Sequence, residues 1–377
     1  MKRFLVIAGL ALAAGCDQTA TSEPTASTHD STTVEASPPS SFPLTPFSQR
    51  YLQQARRHCA SALFEAQQLE LAIHSLLAAT TGDNLKSTQQ QWEKAQARWL
   101  QCSLFSHSDG PLDTPEAGDP FAFATRIGNW PASAGYVDST PEYPHSGLVN
   151  SPDVSLTRSS LLQQHLLTAP NETSVGLYAL EVLLFGANAS RTLEELTPQP
   201  VQPEQLDTPQ RRRDYLALLG QLYASDLKTL VARWDPELAS YPKQLAELSP
   251  PQQQRLLING LRLRLLDIAE ELNALEEEGE ERSSHHEQRL SVPLQALLVL
   301  AENSDTSAAL TQRVKALLEE SASPAQSDKD TQPEAAPSTG STLAEQIESL
   351  ARELNELLGN PSNTVTASAQ QLDGQQQ

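Results

Sequence analysis

Histidine and acidic side chains are the residues of this chain whose spacing could bind a divalent metal. None of the eight histidines begins an HExxH or an HxxE pattern. Glu142-Tyr143-Pro144-His145 has ExxH spacing, but Pro144 disfavours the regular helix that would bring the two ends together. His285-His286-Glu287 lies beside five glutamates in residues 276–281. Because adjacent helical side chains diverge by about 100°, we interpret this segment as a solvated helix end, with chelation as the alternative.

The other patterns exclude further classes of chemistry. Cys59 and Cys102 form no CxxC pair, and the chain has neither a nucleophile elbow nor a phosphate-binding glycine loop. Lys and Arg number 26 against 47 Asp and Glu, which gives a formal charge of −21. A chain this acidic lacks the positive field that holds a phosphate backbone, so we expect no nucleic-acid partner.

The N-terminus indicates the compartment. Lys2 and Arg3 precede an apolar run from Phe4 to Ala14, which is too short to span a bilayer and is typical of a secretory signal over residues 1–15. The sequence LAAGC ends this signal and resembles that of bacterial lipoproteins, in which a lipid is attached to the cysteine, here Cys16. We expect a protein anchored by lipid to the inner or outer membrane and facing the periplasm. An ordinary signal peptide is the alternative.

The elements that must position any site are helical. Residues 46–320 show helical periodicity without a convincing strand pattern, so we predict an all-α protein of two antiparallel bundles, about 46–168 and 171–320. Ser/Thr/Pro-rich composition and weak patterning predict three disordered segments: a tether over 16–45, a linker over 321–341 and a tail over 359–377.

The first two predicted helices, 48–79 and 85–105, could form an antiparallel hairpin about Gly82. Cys59 lies 23 residues before Gly82, and Cys102 lies 20 residues after it. At a rise of 1.5 Å per residue the mismatch is only about 5 Å, and an oxidising envelope would leave this pair available. We predict a Cys59–Cys102 disulfide, with two buried free thiols as the alternative.

The segment 106–153 is rich in Gly, Pro and Asp but carries several aromatic residues, including Trp130 and Tyr136. A connection of this length inside a helical domain is normally functional or disordered, and the aromatic content favours a packed loop. Helical patterning then predicts helices over 155–167, 172–185, 208–234, 249–278, 291–301 and 306–320.

A last amphipathic helix is predicted over 342–358. Its apolar residues recur at steps of four and three, and Thr342 with Glu345 forms a capping box. The apolar face either folds back onto the chain's own bundle or docks onto another chain, and the sequence leaves both alternatives open.

One segment carries a resemblance to a known family. Gly176-Leu177-Tyr178-Ala179-Leu180-Glu181, followed by a leucine-rich stretch that ends in Phe185-Gly186, resembles the G-x-H-x-x-E motif of the imelysin family. Further matches occur in the expected order over most of residues 46–320: Trp92-x6-Trp99, Gly135-Tyr136-Val137-Asp138, Ser146-Gly147-Leu148-Val149-Asn150, Arg213-x-Tyr215-Leu216 to Trp234, and Glu281-Arg282-Ser283-Ser284.

The resemblance implies a bacterial envelope protein of two helical bundles, associated with iron uptake and similar to iron-regulated protein A. In the family, the motif His and Glu are the presumed metal ligands of a metallopeptidase. Here Tyr178 holds the histidine position, and a neutral phenol is a poor zinc ligand. The acidic residue that relatives carry near the end of the second helix is also absent, since Cys102 and Ser103 stand there.

Two interpretations of the motif follow. Tyrosinate binds ferric iron, so Tyr178 and Glu181 are weak metal candidates, and iron is the one cofactor that the resemblance implies. In the favoured interpretation Tyr178 packs between the bundles and hydrogen-bonds Glu181 or a nearby carbonyl. We take as the candidate cleft Gly176, Tyr178, Glu181, Trp130, Tyr136 and Asp138.

The sequence therefore predicts a lipid-anchored, non-catalytic binding or docking scaffold associated with iron acquisition, with no catalytic residue assigned. One alternative is a metallopeptidase that uses Glu181 with ligands elsewhere. Another is a partner subunit of a metal-binding imelysin paralogue, or of another envelope protein, that docks through the terminal helix 342–358.

Overall fold

The structure is a computed structural model that describes residues 41–200, 202, 205–277, 284–302, 308–321 and 342–359. Within these ranges the chain forms α-helices and short 3-10 turns and no strand, which confirms the all-α prediction. The helices are Pro46–Ala78 (α1), Gly82–Ser103 (α2), Phe123–Gly128 (α3), Ala134–Val137 (α4), Arg158–Gln164 (α5), Leu177–Phe185 (α6), Thr208–Arg233 (α7), Tyr241–Glu247 (α8), Pro250–Glu277 (α9), Ser284–Glu302 (α10), Ala308–Ser321 (α11) and Leu343–Gly359 (α12).

Helices α1 and α2 form the predicted hairpin. Each begins at a threonine cap: the side chain of Thr45 accepts from Ser48 N, and that of Thr81 accepts from Asn84 N. The buried face of α1 repeats at steps of three and four residues from Tyr51 to Leu76, which is the spacing of one helical stripe. Cys59 and Cys102 meet across this hairpin in the predicted disulfide, with a Cα–Cα distance of 4.7 Å.

Helix α7 packs along α1 in the same group of helices, although the sequence assigns it to the later bundle. The approach is close because Gly220 of α7 faces Ile73 of α1, and a Cβ at Gly220 would lie 2.9 Å from Ile73 Cδ1. Helix α6, which carries the G-x-x-x-x-E segment, packs against both α2 and α7. The motif is therefore held on the inner side of this first group.

A second group consists of α9, α10, α11 and α12. Helix α12 packs against α9, so in this structure the terminal helix folds back onto its own chain. Its capping box forms as predicted, since Thr342 N donates to Glu345 Oε2 at 3.0 Å and Glu345 N donates to Thr342 Oγ1 at 3.2 Å. Contacts of α9 with α1 and of α10 with α2 join the two groups.

The long connection between α2 and α5 is packed, as its aromatic content predicts, and it contains α3 and α4. Arg126 of α3 is fully buried and anchors this connection to α7 through Asp226, with Nη2 2.7 Å from Oδ1. The same guanidinium pairs with Asp119 in the connection itself. Buried charges of this kind persist where partners surround them, so the ion pairs fix the loop against the bundle.

Several local elements differ from the sequence-based expectation, including α10, which begins at Ser284 and not at residue 291. The helix expected from residue 172 begins at Leu177, because Ser174 is buried in a non-helical segment where its Oγ donates to Leu161 O at 2.6 Å. The hydroxyl of Tyr215 donates to Ser174 O at 2.5 Å, which holds the segment away from helical geometry. The short helix α8 has no counterpart in the expectation.

Several predictions fall outside the described residues. These are the signal peptide over 1–15, the lipidated Cys16, most of the tether over 16–45, nearly all of the linker over 321–341 and the tail beyond residue 359. Among the helices that the structure does describe, none has an apolar stretch long enough to cross a membrane.

Candidate functional site

Gly176 fixes where the motif helix begins. Its φ is +89°, and a Cβ at this position would lie 2.4 Å from Arg126 O and 2.6 Å from Ile127 O. Only glycine permits this approach, because it has no side chain and tolerates a positive φ. The end of α3 thus packs directly on the first residue of the motif and sets the position of Tyr178, two residues later.

Tyr178 is buried, with 1% of its surface exposed. Its ring meets Trp92 edge to face with a centroid separation of 6.3 Å, and its hydroxyl oxygen accepts a hydrogen bond from Arg289 Nη1. Burial is the main cause that raises the pKa of the Tyr178 phenol, against a lowering effect of Arg289. The phenol therefore stays neutral near pH 7.

Arg289 of α10 occupies the space beside Tyr178. Its guanidinium carbon lies 4.2 Å from the ring centroid of Trp130 and 5.0 Å from that of Tyr178, so aromatic rings flank the cation. Nη2 lies 2.6 Å from Glu271 Oε2. Burial lowers the pKa of Arg289, but Tyr178, Glu271 and Glu181 outweigh it and raise that pKa overall. Arg289 is therefore a fixed positive charge.

Arg289 belongs to a set of five charged or titratable side chains, here called the cavity cluster: His107, Arg264, Asp267, Glu271 and Arg289. Arg264 Nη1 lies 3.1 Å from Glu271 Oε1 and 3.7 Å from Asp267 Oδ2, and His107 Nε2 lies 2.6 Å from Asp267 Oδ2. Burial disfavours ionised Glu271, but Arg264 and Arg289 hold its pKa below the ordinary value. The hydrogen bond to Asp267 raises the pKa of His107.

The cavity cluster lines a pocket of about 190 Å³ where the 106–130 region meets α9 and α10. The remaining lining residues are aromatic or small and polar for the most part: Trp99, Leu100, Ser103, Ser106, Ala124, Thr125, Gly128, Asn129, Trp130 and Tyr178. The pocket is more polar than most small-molecule sites, and its charged groups converge beside three aromatic rings.

The residues here do not fit the metal that the motif implies in its family. The histidine position holds a phenol that burial keeps neutral, and its oxygen already binds a guanidinium. A dication beside Glu181 or Glu271 would have to share that space with the positive charge of Arg289. Among the residues that the structure describes, no three His, Cys, Asp or Glu side chains converge into a metal-holding group. The histidine and glutamate run near residues 276–287 lies in a stretch whose side chains are not described.

The structure brings together some of the six residues of the predicted cleft. Tyr178 and Trp130 line the pocket, whereas Gly176 acts through the backbone and Glu181 is half-buried on α6 outside the lining. Tyr136 lies elsewhere: its hydroxyl donates to Gln164 O, and burial with nearby Glu172 raises its pKa to about 12.

Asp138 forms a second set of charges, the closed cluster of Asp138, Arg191 and Arg212. Its Oδ2 lies 2.7 Å from Arg191 Nη2 and 2.6 Å from Arg212 Nε, and all three side chains are at most 3% exposed. Burial raises the pKa of Asp138, but the two arginines outweigh it and lower that pKa overall. Gly147 supports the cluster, because its Cβ would lie 2.6 Å from Asp138 N. The two family-like segments at 135–138 and 146–150 therefore pack on each other.

Sequence reasoning missed the cavity cluster. Arg264, Asp267 and Glu271 recur at steps of three and four on α9, so they share one helix face. Arg264 is buried, and the other two are partly buried. That spacing of charges on a helix with an otherwise apolar inner face was the available signal. No local signal links these residues to Arg289 or His107.

Two solved structures are similar to this chain. A structure of an imelysin-like protein from Psychrobacter arcticum 273-4 matches with a TM-score of 0.51 and 14% identity, covering 85% of this chain and 94% of that one. A protein named as an iron-regulated protein A precursor, from Parabacteroides distasonis ATCC 8503, matches with a TM-score of 0.48 and 11% identity, covering 85% and 95%. No curated protein matches the chain. The family model of imelysin matches residues 55–377, and the chain therefore belongs to the imelysin family.

Proposed function

We propose that this protein is a non-catalytic binding or docking scaffold of the bacterial cell envelope, associated with iron acquisition. The iron context comes from membership of the imelysin family. The non-catalytic role rests on one observation: Arg289 binds the hydroxyl of Tyr178 and the carboxylate of Glu271 at the place where the family motif would present a metal ligand.

The positive charge of Arg289 argues against metal-dependent catalysis at this position. A metallopeptidase needs a Lewis-acidic dication with an open coordination position and a nearby base that activates water. In this chain the position beside the motif is filled by a guanidinium, which is always protonated and offers no acceptor. Arg289 gives the site a permanent positive charge suited to binding, without the open coordination chemistry that hydrolysis requires.

Anchoring to the envelope is a separate part of the proposal and rests on the N-terminal sequence. The charged start at Lys2 and Arg3, the apolar run and the LAAGC end favour lipid attachment at Cys16, with the folded part facing the periplasm. Intact mass of protein extracted from membranes tests this directly. We expect a diacyl adduct on Cys16, absent from a Cys16→Ser variant, and an unmodified N-terminus would contradict the anchor.

The partner is proposed to be another envelope protein, including an imelysin relative that retains the motif histidine. Since α12 packs against α9, its apolar face is engaged within the chain. We therefore expect a partner to dock on a surface other than the apolar face of α12. Co-purification with a variant lacking residues 342–358 tests this, and loss of association without loss of folding would assign the contact to α12.

The decisive test of the non-catalytic role uses the full chain, purified without chelator and then assayed twice. Elemental analysis should find less than about 0.1 equivalent of zinc or iron, and a peptide-cleavage assay should give no chelator-sensitive rate. Glu181→Gln is the matched variant, because a true metal site would lose its ion with that carboxylate. Stoichiometric metal with cleavage that a chelator abolishes would establish the metallopeptidase alternative instead.

A further inference from the structure

We propose that the pocket at the cavity cluster binds a small zwitterion, a molecule that carries both a carboxylate and an ammonium group, with a free amino acid as the model. This proposal rests on the proposed function, since it names the ligand class of the same scaffold. Three features of the described residues carry it: an unpaired buried donor, a balanced set of fixed charges, and a small pocket volume.

The unpaired donor is Nε of Arg289. The residue is 6% exposed, and Nε has no hydrogen-bond partner among the described residues, whereas Nη1 binds Tyr178 and Nη2 binds Glu271. A buried N–H that lacks an acceptor is unfavourable, and hydrogen bonds from a guanidinium to a carboxylate are among the strong ones. The flanking rings of Trp130 and Tyr178 hold the guanidinium plane in place before any ligand arrives. Arg289 lines the pocket, so a ligand carboxylate there meets an oriented guanidinium.

The charges that line the pocket balance when His107, which is paired with Asp267, is neutral. Arg264 and Arg289 supply two positive charges, and Asp267 and Glu271 supply two negative ones. A simple anion would leave one charge uncompensated in a partly buried site, whereas a ligand with both signs adds none. Asp267 keeps 41% of its side chain exposed, so its carboxylate can take an ammonium group.

The volume limits the ligand to a small molecule. Sites for drug-sized ligands occupy about 300–1,000 Å³, whereas this pocket has about 190 Å³. Ser103 and Asn129 provide short polar groups along the wall, and Trp99 with Trp130 provides apolar area. This combination suits a compact zwitterion with a modest side chain better than a peptide.

Binding is tested on the full chain by calorimetric titration with glycine, L-alanine, L-serine and L-leucine, in the presence of a chelator. At least one of these probes should bind, and the carboxylate of the same size without its amine should bind at least about ten-fold more weakly. Absence of binding by all four probes, or equal binding by the amine-free carboxylate, would overturn the proposal.

Two variants locate the site. Arg289→Lys keeps the positive charge but removes Nε–H and the planar fork, so it should weaken binding at least about ten-fold. Ala124→Leu narrows the pocket without changing any charge and should also abolish binding, which keeps the test usable if Arg289→Lys does not fold. Arg255→Lys, an exposed arginine of α9 outside the pocket, is the matched control and should bind as the wild type does. Unchanged binding in both pocket variants would contradict the proposal.

The outcome is separable from that of the proposed function. The chelator removes any metal contribution, so zinc-dependent cleavage would refute the scaffold role without changing the titration. Conversely, a chain that binds no zwitterion and no metal keeps the scaffold role and loses only this ligand class.

Discussion

The closed cluster and the cavity cluster are two sets of buried arginine and carboxylate groups that differ in how completely they are paired. In the closed cluster, Asp138 contacts two arginines, and none of the three side chains exceeds 3% exposure. In the cavity cluster, His107 and Asp267 keep 38% and 41% exposure and Nε of Arg289 lacks a partner. Asp138, which lies in a family-like segment, therefore stabilises the fold. The solvent-accessible charged groups come from residues outside any recognised motif.

The largest expected effect is that of breaking the closed cluster. Asp138→Asn removes the charge between Arg191 and Arg212 and should lower the free energy of unfolding by about 4 kcal/mol, in the range for leaving a buried charge unpaired. Urea denaturation at pH 7 measures it, with exposed Asp153→Asn as the control. A loss below about 1 kcal/mol would contradict the buried pairing of Asp138 with Arg191 and Arg212.

The disulfide belongs to neither cluster and constrains the chain covalently instead of through charge. It joins α1 to α2 in the first group of helices and closes a separation of 43 residues. Cys59→Ser with Cys102→Ser should lower the free energy of unfolding by about 3 kcal/mol through greater freedom of the unfolded chain. Because the constraint is covalent, the loss should not depend on salt concentration. A strongly salt-dependent loss would indicate that the cysteines act through the neighbouring charges.

Glu271→Gln is the corresponding test of the cavity cluster. It removes the carboxylate shared by Arg264 and Arg289 and should cost about 2 kcal/mol of unfolding free energy, less than Asp138→Asn because Glu271 keeps 23% exposure. Glu270→Gln, the exposed neighbour on α9, is the matched control for urea denaturation. If Glu271→Gln cost as much as Asp138→Asn, the two clusters would be equally closed.

The smallest expected effect is a pH dependence with opposite signs in the two clusters. The pKa of His107 is raised by its bond to Asp267, so its stabilisation is complete below about pH 6.5 and is lost as pH rises through the raised value. The lowered pKa of Asp138 gives stability that is present at neutral pH and lost as pH falls through that value.

His107→Gln should therefore destabilise the chain more at pH 5.5 than at pH 9. The difference should stay below about 1 kcal/mol, because more than a third of the imidazole is exposed and solvent screens the pair. Denaturation at both pH values measures it, with exposed His74→Gln as the control. A larger effect at pH 9 would contradict the assigned direction.

Much of the fold could be predicted from local patterns in the sequence. The stripe on α1, the turn at Gly82 and the spacing of the cysteines specify the hairpin and its disulfide, because these depend on helical rise and periodicity alone. The capping box at Thr342 and Glu345 likewise places the start of α12. The sequence could not show whether α12 packs on its own chain or on another one, because an amphipathic face does not identify the surface that covers it.

The candidate site was less predictable because its contacts are long-range. Arg289 reaches Tyr178 across 111 residues, and His107 reaches Asp267 across 160. The late start of α6 has the same origin, since Gly176 meets carbonyls of Arg126 and Ile127 that lie far away in the sequence. Family resemblance located Tyr178, but only the fold places a guanidinium beside it.

We propose that a guanidinium, and not a metal, occupies the position beside the imelysin motif. Anomalous diffraction from crystals of the full chain soaked separately in zinc and in iron tests it most directly. We expect electron density for Arg289 against Tyr178 and Glu271, with no anomalous peak within bonding distance of Glu181. An anomalous peak bound by Tyr178 and Glu181, with Arg289 displaced, would contradict it.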